Sequence, residues 1–508
     1  MRLVLRADAS VTIGTGHVMR CLTLARALRD LGHDCAFVCR DLPGHLGARI
    51  TIDGFPLTLL PAPAPGFQPA ADDPAHAIWA GVPWALDAAQ TLAAAGQADW
   101  LVVDHYAFDA RWQDAARPPL ARLMVIDDLA DRHHAADLLL DQNLGRRSAD
   151  YDALMPAGAE RLIGPRHALL RPEFAALRAT TLATRVAAGH PLRRVLVSMG
   201  GVDQPNATGA ALAALAALAA LPGLEAVVVM GAAAPALEAV RAQAAALPFP
   251  VDLHVDVPDM AALMAGADLA IGAAGGTAWE RCALGLPTLL AVLADNQTAA
   301  AAALAASGAA LDLGRADAPG FADALSRALA EVQRPGTLQA LSEAAAAVTD
   351  GKGAARVAAA ITQPLRLRPA TMAEAEAIWH WRRAVPESRF RSGPTPPLAD
   401  HLNWFATALA DPGRHLLVAG DPPFAHLRLD EAGDGRAAVS ILLAPDAQGR
   451  GLGRRLLALL ADAARAQGLH GLLAQVHREN AASLALFRAA GYRPAGTENG
   501  FASFRLSL

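Results

Sequence analysis

The sequence predicts an α/β protein in which two Rossmann-like, doubly wound parallel sheets are followed by a smaller α/β domain. Three observations lead there. The chain has 508 residues, room for about three domains of ordinary size. Short β-branched or Leu-rich runs alternate with Ala/Leu helical segments to about residue 360, and the alternation restarts at Arg193, after His190-Pro191. A second break, at Thr362-Gln363-Pro364, separates this alternation from a mixed pattern that continues to Leu508. The expected domains are 1–187, 188–362 and 363–508.

Composition narrows the class. With 53% hydrophobic and 18% charged residues, each domain can bury a core without disulfides or structural metal. Disordered, collagen-like and disulfide-scaffold proteins are excluded. A formal net charge of −5 supplies no general attraction to nucleic acid, and none is expected as a partner. Mean hydropathy is +0.25, so the apolar runs need inspection. The best spanning candidate, 204–224, is uncharged but contains Pro205, Asn206, Thr208, Gly209 and Pro222 and is apolar mainly through alanine. It reads as a buried helix, with no membrane insertion. The chain starts on a strand pattern, Leu3-Val4-Leu5, without a charged-then-apolar leader. Cys21, Cys35, Cys39 and Cys282 form no CxxC pair and have no His at zinc spacing, so reduced thiols, a cytoplasmic location and no metal are expected.

Strands are expected at 3–6, 35–39, 100–104 and 123–126 in the first domain and at 194–198, 226–230 and 269–271 in the second. In such sheets, ligands bind at the carboxyl ends of the strands, where the strand order reverses. The first domain supplies one such end. Residues 6–21 read Arg-Ala-Asp-Ala-Ser-Val-Thr-Ile-Gly-Thr-Gly-His-Val-Met-Arg-Cys. The strand ends near Asp8, Gly14 and Gly16 make a turn, and a helix starts near His17. Glycines let the backbone approach a ligand, helix-start N–H groups favour an anion, and His17 at that mouth is placed for acid–base work. The second domain offers Ser198-Met199-Gly200-Gly201-Val202-Asp203 with Asn206 one turn on, and Gly275-Gly276-Thr277 opening a helix that holds Glu280. Both loops suit a diphosphate on backbone amides, with Glu280 accepting from a ribose diol. Taken singly, each loop reads equally well as a tight strand-to-helix turn.

In order along the chain, these motifs are joined by Val103-Asp104-His105-Tyr106, Ile126-Asp127-Asp128-Leu129, Leu169-Leu170-Arg171-Pro172-Glu173-Phe174, Asn296-Gln297 and Asp350-Gly351-Lys352-Gly353. The set resembles the nucleotide-sugar hydrolases of pseudaminic acid biosynthesis, across residues 1–360. The resemblance implies a GT-B fold, like that of the glycosyltransferase that makes peptidoglycan lipid precursors. It also implies hydrolysis of UDP-2,4-diacetamido-2,4,6-trideoxy-β-L-altropyranose to the free sugar and UDP. His17 is then expected to activate water, with Tyr106 and Asn296 near the sugar and water. Asp8, Gly14, Gly16, Gly200, Gly201, Asn206, Gly275, Gly276, Thr277, Glu280 and Gln297 are expected to bind substrate. For Asp8, capping the following loop is the alternative.

The last domain carries a second signature. A strand pattern at 437–443 leads into Gln448-Gly449-Arg450-Gly451-Leu452-Gly453 and an Ala/Leu helix, with Asn480-Ala481-Ala482-Ser483, Phe487 and Gly491-Tyr492 downstream. This order resembles the GNAT acetyltransferases. It implies acetyl-CoA as co-substrate, held by Leu443, Gln448, Gly449, Arg450, Gly451, Gly453, Asn480 and Ser483. Many GNAT enzymes carry a tyrosine acid where this chain has Phe487. His426, Asp430 and Glu431 are candidate bases, and Arg382, Arg383 and Arg428 could pair with a diphosphate. The Trp379–Arg383 and His401–Phe405 segments resemble the subgroup that acetylates nucleotide-sugar or N-terminal amines. In the pseudaminic acid route the hydrolase acts on the product of an N4-acetylation. The fusion therefore implies both steps in one chain, with UDP-linked amino sugars as substrates. The alternative is a UDP-sugar glycosyltransferase or hydrolase regulated by an acetyl-CoA-binding module.

Overall fold

Strands such as Trp100-Leu101-Val102-Val103-Asp104, buried at every position, are what a parallel sheet covered by helices on both faces requires. The structure, a computed structural model, describes residues 1–156, 158–185, 191–257, 259–362, 365–386, 393–420, 422–449 and 452–508. The expected boundaries at 187/188 and 363, and the site candidates Arg450 and Gly451, lie outside the described residues. Contacts divide the chain into two units, residues 1–155 with 162–359, and 156–161 with 360–508.

The first sheet contains β1 (Arg2–Ala7), β2 (Asp34–Arg40), β3 (Leu57–Leu60), β4 (Trp100–Asp104), β5 (Arg122–Ile126), β6 (Leu138–Asp141) and β7 (Glu160–Ile163), in the order 3-2-1-4-5-6-7. The pairings β3–β2, β2–β1, β1–β4, β4–β5 and β5–β6 are parallel. Its helices are α1 (Gly16–Asp30), α2 (Gly47–Ile52), α3 (Trp84–Ala95) and α4 (Ala110–Ala116), and α5 (Pro172–Arg185) follows it. The strand order reverses between β1 and β4, with Ala7 in register with Asp104. The crevice of a doubly wound sheet belongs at that point.

The second sheet repeats the plan with β8 (Arg194–Ser198), β9 (Glu225–Met230), β10 (Val251–Val255), β11 (Leu269–Ala273), β12 (Thr288–Val292) and β13 (Leu311–Arg315), in the order 10-9-8-11-12-13. All five pairings are parallel. Helices α6 (Ala207–Leu215), α7 (Leu237–Ala245), α8 (Met260–Ala265), α9 (Thr277–Ala283), α10 (Thr298–Ala306), α11 (Phe321–Glu331), α12 (Thr337–Val348) and α13 (Gly353–Thr362) accompany it. Its reversal lies between β8 and β11, so the loops after Ser198 and Ala273 meet there. The uncharged run 204–224 becomes a nine-residue helix and a 3₁₀ turn. No helix among the described residues is long and apolar enough to cross a membrane.

The other unit is built on a mixed sheet of β14 (Leu367–Pro369), β15 (Arg414–Ala419), β16 (Ala425–Gly433), β17 (Arg436–Leu443), β18 (Gly471–His477), β19 (Arg493–Glu498) and β20 (Phe501–Ser507), in the order 14-15-16-17-18-20-19. Only β17–β18 is parallel. Helices α14 (Ala375–Arg383) and α15 (Leu398–Ala410) cover one face, with Phe405 packed on Leu416 and Val418. Helices α16 (Leu452–Ala466) and α17 (Ala481–Ala489) cover the other, where Leu456, Leu460 and Phe487 meet Leu427, Leu429 and Phe504.

Candidate functional site

A cleft of about 660 Å³ runs between the two parallel sheets of the first unit. It is lined from one side by Gly16, His17, Arg20, Tyr106, Asp128 and Asn143, and from the other by Gly200, Gly201, Gly275, Gly276, Thr277, Glu280, Asn296 and Gln297. The structure thus brings most of the residues singled out by sequence to one cavity. Asp8, Gly14 and Asn206 are not among its lining residues.

The reasons are local. Asp8 is fully buried; its Oδ1 accepts from Arg6 Nη1 at 2.6 Å and from the Arg40 amide at 2.7 Å, and its Oδ2 faces His105 Nε2 at 3.3 Å. The carboxylate of Asp8, expected to bind substrate or to cap the following loop, thus ties strand ends together behind the cleft. Gly14, with φ +81°, donates to the Ser10 carbonyl to close the preceding loop. Asn206 caps α6, its Oδ1 accepting from the Gly209 amide at 3.0 Å.

His17 sits in the first turn of α1, its ring edge-on to Tyr106 with centroids 4.7 Å apart. Its Nδ1 lies 2.6 Å from Asp104 Oδ1 at the end of β4. Arg20, one helical turn on, grips both oxygens of Asp104 (Nε–Oδ2 2.6 Å, Nη2–Oδ1 2.7 Å) and places Nη1 2.6 Å from Asp128 Oδ2. Tyr106 donates its hydroxyl to the same Asp128 oxygen at 2.7 Å. Burial alone would raise the Asp104 carboxyl, but the charges and hydrogen bonds of Arg20 and His17 hold it well below the usual carboxylate range. Burial and the Asp128 charge push the Tyr106 hydroxyl well above its ordinary value, so it stays protonated. An ionised carboxylate only accepts, so Asp104 assigns the proton of neutral His17 to Nδ1 and leaves Nε2 as an acceptor.

Behind this cluster, Asp141 Oδ2 and Asp127 Oδ2 flank one hydroxyl, that of Tyr151, at 2.8 and 2.9 Å. One hydroxyl proton cannot serve two carboxylates, so one of the pair carries its own. Burial and the nearby Asp128 charge push Asp141 up to about 7, against the pull of Arg146 at 2.8 Å. Asp127, held by His134 and Arg132 in spite of burial, stays well below its ordinary value.

On the other wall, a Cβ at Gly200 or Gly201 would meet no neighbouring atom within 4 Å, which leaves this backbone open to a ligand. Gly231, which also lines the cleft, packs so closely that a Cβ there would overlap the Gly201 carbonyl. Burial raises the Glu280 carboxyl above its ordinary range, opposed by Arg171, whose Nη2 is 3.8 Å away. Gln297 Oε1 accepts from the Leu293 amide at 3.0 Å and braces the turn that carries Asn296. Sequence reading left Asp104, Arg20, Asp128, Asn143 and Gly231 out of the site. The i+3 spacing of Arg20 from His17 was the available signal for Arg20.

In the second unit, β17 pairs with β18 only from Arg436 to Val439. Beyond that point the strands separate, and residues 440–443 offer backbone groups on that edge. A pantetheine-type amide can hydrogen-bond there. Gly449, with φ +72° and open space around it, follows at the turn into α16, and Gln448 Nε2 donates to the Leu443 carbonyl at 3.2 Å. This strand edge and turn fit an acetyl-CoA chain. Gly453 serves packing, since a Cβ there would stand 2.9 Å from Leu486. Asn480 caps α17 by accepting from the Ser483 amide at 3.1 Å. Phe487 is buried, edge-on to Tyr492 with centroids 5.0 Å apart.

Of the three candidate bases, two are engaged or buried and Glu431 is exposed. Burial drives His426 down to about 3, Asp430 pairs with Arg428 at 2.8 Å, and Glu431 lies 3.5 Å from His415. Arg428 lies over Trp404 and Arg383 over Trp379, and Arg382 donates to the Gly393 carbonyl at 3.2 Å. No group of three or more metal-ligating side chains occurs among the described residues.

Comparison with known proteins agrees with this division. Residues 375–492 match the acetyltransferase (GNAT) family, and residues 230–358 match the glycosyltransferase family 28 C-terminal domain. The chain is 27% identical over 175 residues to UDP-2,4-diacetamido-2,4,6-trideoxy-beta-L-altropyranose hydrolase of Campylobacter jejuni, covering 34% of this chain and 53% of that protein. It is 37% identical over 107 residues to L-methionine sulfoximine/L-methionine sulfone acetyltransferase of Pseudomonas aeruginosa, covering 20% of this chain and 62% of that protein. The chain thus spans about half to three fifths of these relatives. MurG of Acinetobacter baumannii superposes with a TM-score of 0.52 at 17% identity, covering 72% of this chain and 99% of that one. This is the GT-B fold.

Proposed function

From a chain that is homologous to a UDP-sugar hydrolase in one part and carries a GNAT domain in another, we propose a bifunctional nucleotide-sugar enzyme. Its first unit hydrolyses UDP-2,4-diacetamido-2,4,6-trideoxy-β-L-altropyranose, and its second N4-acetylates the UDP-4-amino sugar that precedes it. The observation that carries the first half is the His17–Asp104 contact at 2.6 Å on the wall of the cleft. His17 Nε2 takes one proton of a water as that oxygen bonds to the anomeric carbon. The bond from that carbon to the diphosphate oxygen breaks, and UDP leaves with the electron pair. Amides of the Gly200-Gly201 and Gly275–Thr277 loops stabilise the charge that develops on the diphosphate, while Glu280 suits a ribose diol.

For acetyl transfer, a neutral amine attacks the thioester carbonyl, the thiolate leaves, and the amine gives up one proton. With Phe487 in place of a tyrosine acid, solvent supplies the proton to the thiolate. Fusion to the hydrolase favours a nucleotide-sugar acceptor. The similarity to a methionine sulfoximine acetyltransferase favours a second reading, in which the acceptor is a small amino acid.

Proton NMR of the full chain with acetyl-CoA and the UDP-4-amino sugar tests both halves. The expected course is an N4-acetyl signal followed by free sugar and UDP. Acetylation of methionine sulfoximine alone selects the second reading. His17→Asn is expected to keep UDP affinity and lose UDP release. Wild-type release by that variant would remove His17 as the base, and release only onto an added sugar acceptor would make the first unit a glycosyltransferase.

A further inference from the structure

Two carboxylates that hold the groups of the reacting region are themselves held by one side chain the proposed chemistry does not use. Arg20 is the cation common to Asp104 and Asp128, with contacts of 2.6 to 2.7 Å to three of their oxygens. Asp104 in turn fixes His17 at 2.6 Å, and Asp128 takes the Tyr106 hydroxyl proton at 2.7 Å. We infer that Arg20 is a positioning residue that forces His17 Nε2 and Tyr106 Oη to face the cleft together as hydrogen-bond acceptors. This rests on the hydrolytic reading of the cleft.

The argument is one of proton counting. An ionised carboxylate has no proton to donate, and the guanidinium, bidentate on Asp104 and in single contact with Asp128, is the counter-charge to both. Asp104 then assigns the His17 proton to Nδ1, and Asp128 takes the only proton of Tyr106. What remains toward the cleft is a lone pair on His17 Nε2 and one on Tyr106 Oη, with ring centroids 4.7 Å apart. A water that touches both must donate one proton to each. Its remaining lone pairs then point away from the protein wall, toward the sugar. As the new C–O bond forms, the proton shared with His17 moves to Nε2, while Tyr106 continues to accept the other. Without Arg20, two neighbouring carboxylates lose their shared counter-ion. Asp104 and Asp128 are then no longer held in place, so the His17 Nδ1 proton and the Tyr106 hydroxyl proton lose their fixed acceptors.

The test uses the full chain with Arg20→Met, Arg20→Lys and Tyr106→Phe, all assayed for UDP release. Arg20→Met is expected to lower kcat on the order of 10²-fold with KM and UDP affinity little changed. Millimolar methylguanidinium is expected to restore part of the lost kcat, and urea is not. Lysine supplies a point charge without the fork, so Arg20→Lys should fall between wild type and Arg20→Met. The losses of the Arg20→Met and Tyr106→Phe single variants should multiply to more than the loss in the double variant, because both act on one water. Unchanged kcat in Arg20→Met, or a loss that is additive with Tyr106→Phe and not restored by methylguanidinium, would overturn the inference. The tautomer can be read without turnover from ¹⁵N spectra of histidine-labelled protein, with His17→Asn assigning the signal. Nδ1-protonated neutral His17 is expected, disturbed in Arg20→Met. Nε2 protonation in the wild type would overturn the inference, whereas absent UDP release with the expected tautomer would count against the hydrolytic reading alone.

Discussion

Asp104→Asn isolates the tautomer argument, because it keeps the shape of the side chain and removes its charge. An amide has one acceptor and one donor end, and the native carboxylate accepts at both. If Oδ1 faces His17, the new NH₂ meets Arg20 Nε, whose present partner is 2.6 Å away, and two donors oppose each other. If the NH₂ faces His17 instead, the ring accepts at Nδ1, and its proton moves to Nε2 on the cleft side. His17 then cannot take a proton from water. The loss is that of a general base, about 10²–10⁴-fold in kcat, or roughly 3–5 kcal/mol of barrier. UDP affinity should be nearly unchanged, since Asp104 is not a lining residue and the glycine loops of the second sheet are untouched. Single-turnover UDP release, with UDP titration by calorimetry on the same samples, reads both quantities. Release within about threefold of wild type would refute the assignment, and so would a loss that appears wholly as weaker UDP binding.

Three further outcomes are expected. Gly231→Ala places a methyl against the Gly201 carbonyl; overpacking of about 1–3 kcal/mol should appear as roughly tenfold weaker UDP binding, and an unchanged Kd would contradict it. Asp87 accepts from Arg6 Nη2 at 2.8 Å, Arg40 Nη2 at 2.6 Å and Trp112 Nε1 at 3.0 Å, all buried. Asp87→Ala should therefore destabilise the first unit by about 3–5 kcal/mol in urea, and a change below about 1 kcal/mol would count against this network as a unit. Asp141 is raised from 3.8 to about 7, so between those values the folded chain keeps a proton that the unfolded chain has released. Its contribution is complete below about 4 and is lost as pH rises through about 7, so the first unit should unfold more readily at pH 8 than at pH 5. Asp141→Asn should flatten that slope, and an unchanged slope would remove Asp141 as its source.

Sequence and structure agree most where a strand is buried on both faces. The run predicted at 100–104 is β4 (Trp100–Asp104), and that at 194–198 is β8 (Arg194–Ser198), because central parallel strands must be apolar throughout. The pattern fails at sheet edges. β19, Arg-Pro-Ala-Gly-Thr-Glu, is exposed at every position and has no apolar periodicity to detect. β3 and β10 close the outer edges of their sheets and are partly exposed along their length. The glycine loops were legible for a related reason: a backbone that must approach a ligand needs glycine at fixed places, and the constraint is local. The acid–base cluster was not, because Asp104, Arg20 and Asp128 come from three separate segments. The return of β4 beside β1, and the pairing of β5 with β4, join them.

That return also decides between two aspartates with similar surroundings in sequence. Asp8 follows β1 and Asp104 ends β4 at the point where the first sheet reverses, and Ala7 is in register with Asp104. Asp8 is enclosed by Arg6 and Arg40, which also share Asp87, so two guanidinium groups meet two carboxylates in a fully buried, neutral layer. His105 spans from Asp8 to the Ala107 amide, which donates to its Nδ1 at 3.1 Å, and so holds the backbone next to Asp104 in place. A neutral layer contributes little net field at the cleft, while its rigidity limits how far the Asp104 backbone can move. The charges that act on His17 are then chiefly those of Asp104, Arg20 and Asp128, fixed before substrate arrives. Stabilisation of a transition state depends on such fixed dipoles and charges, since groups that must reorganise during the reaction lose much of their effect. The buried arginine layer thus braces the strand ends from which Asp104 reaches His17.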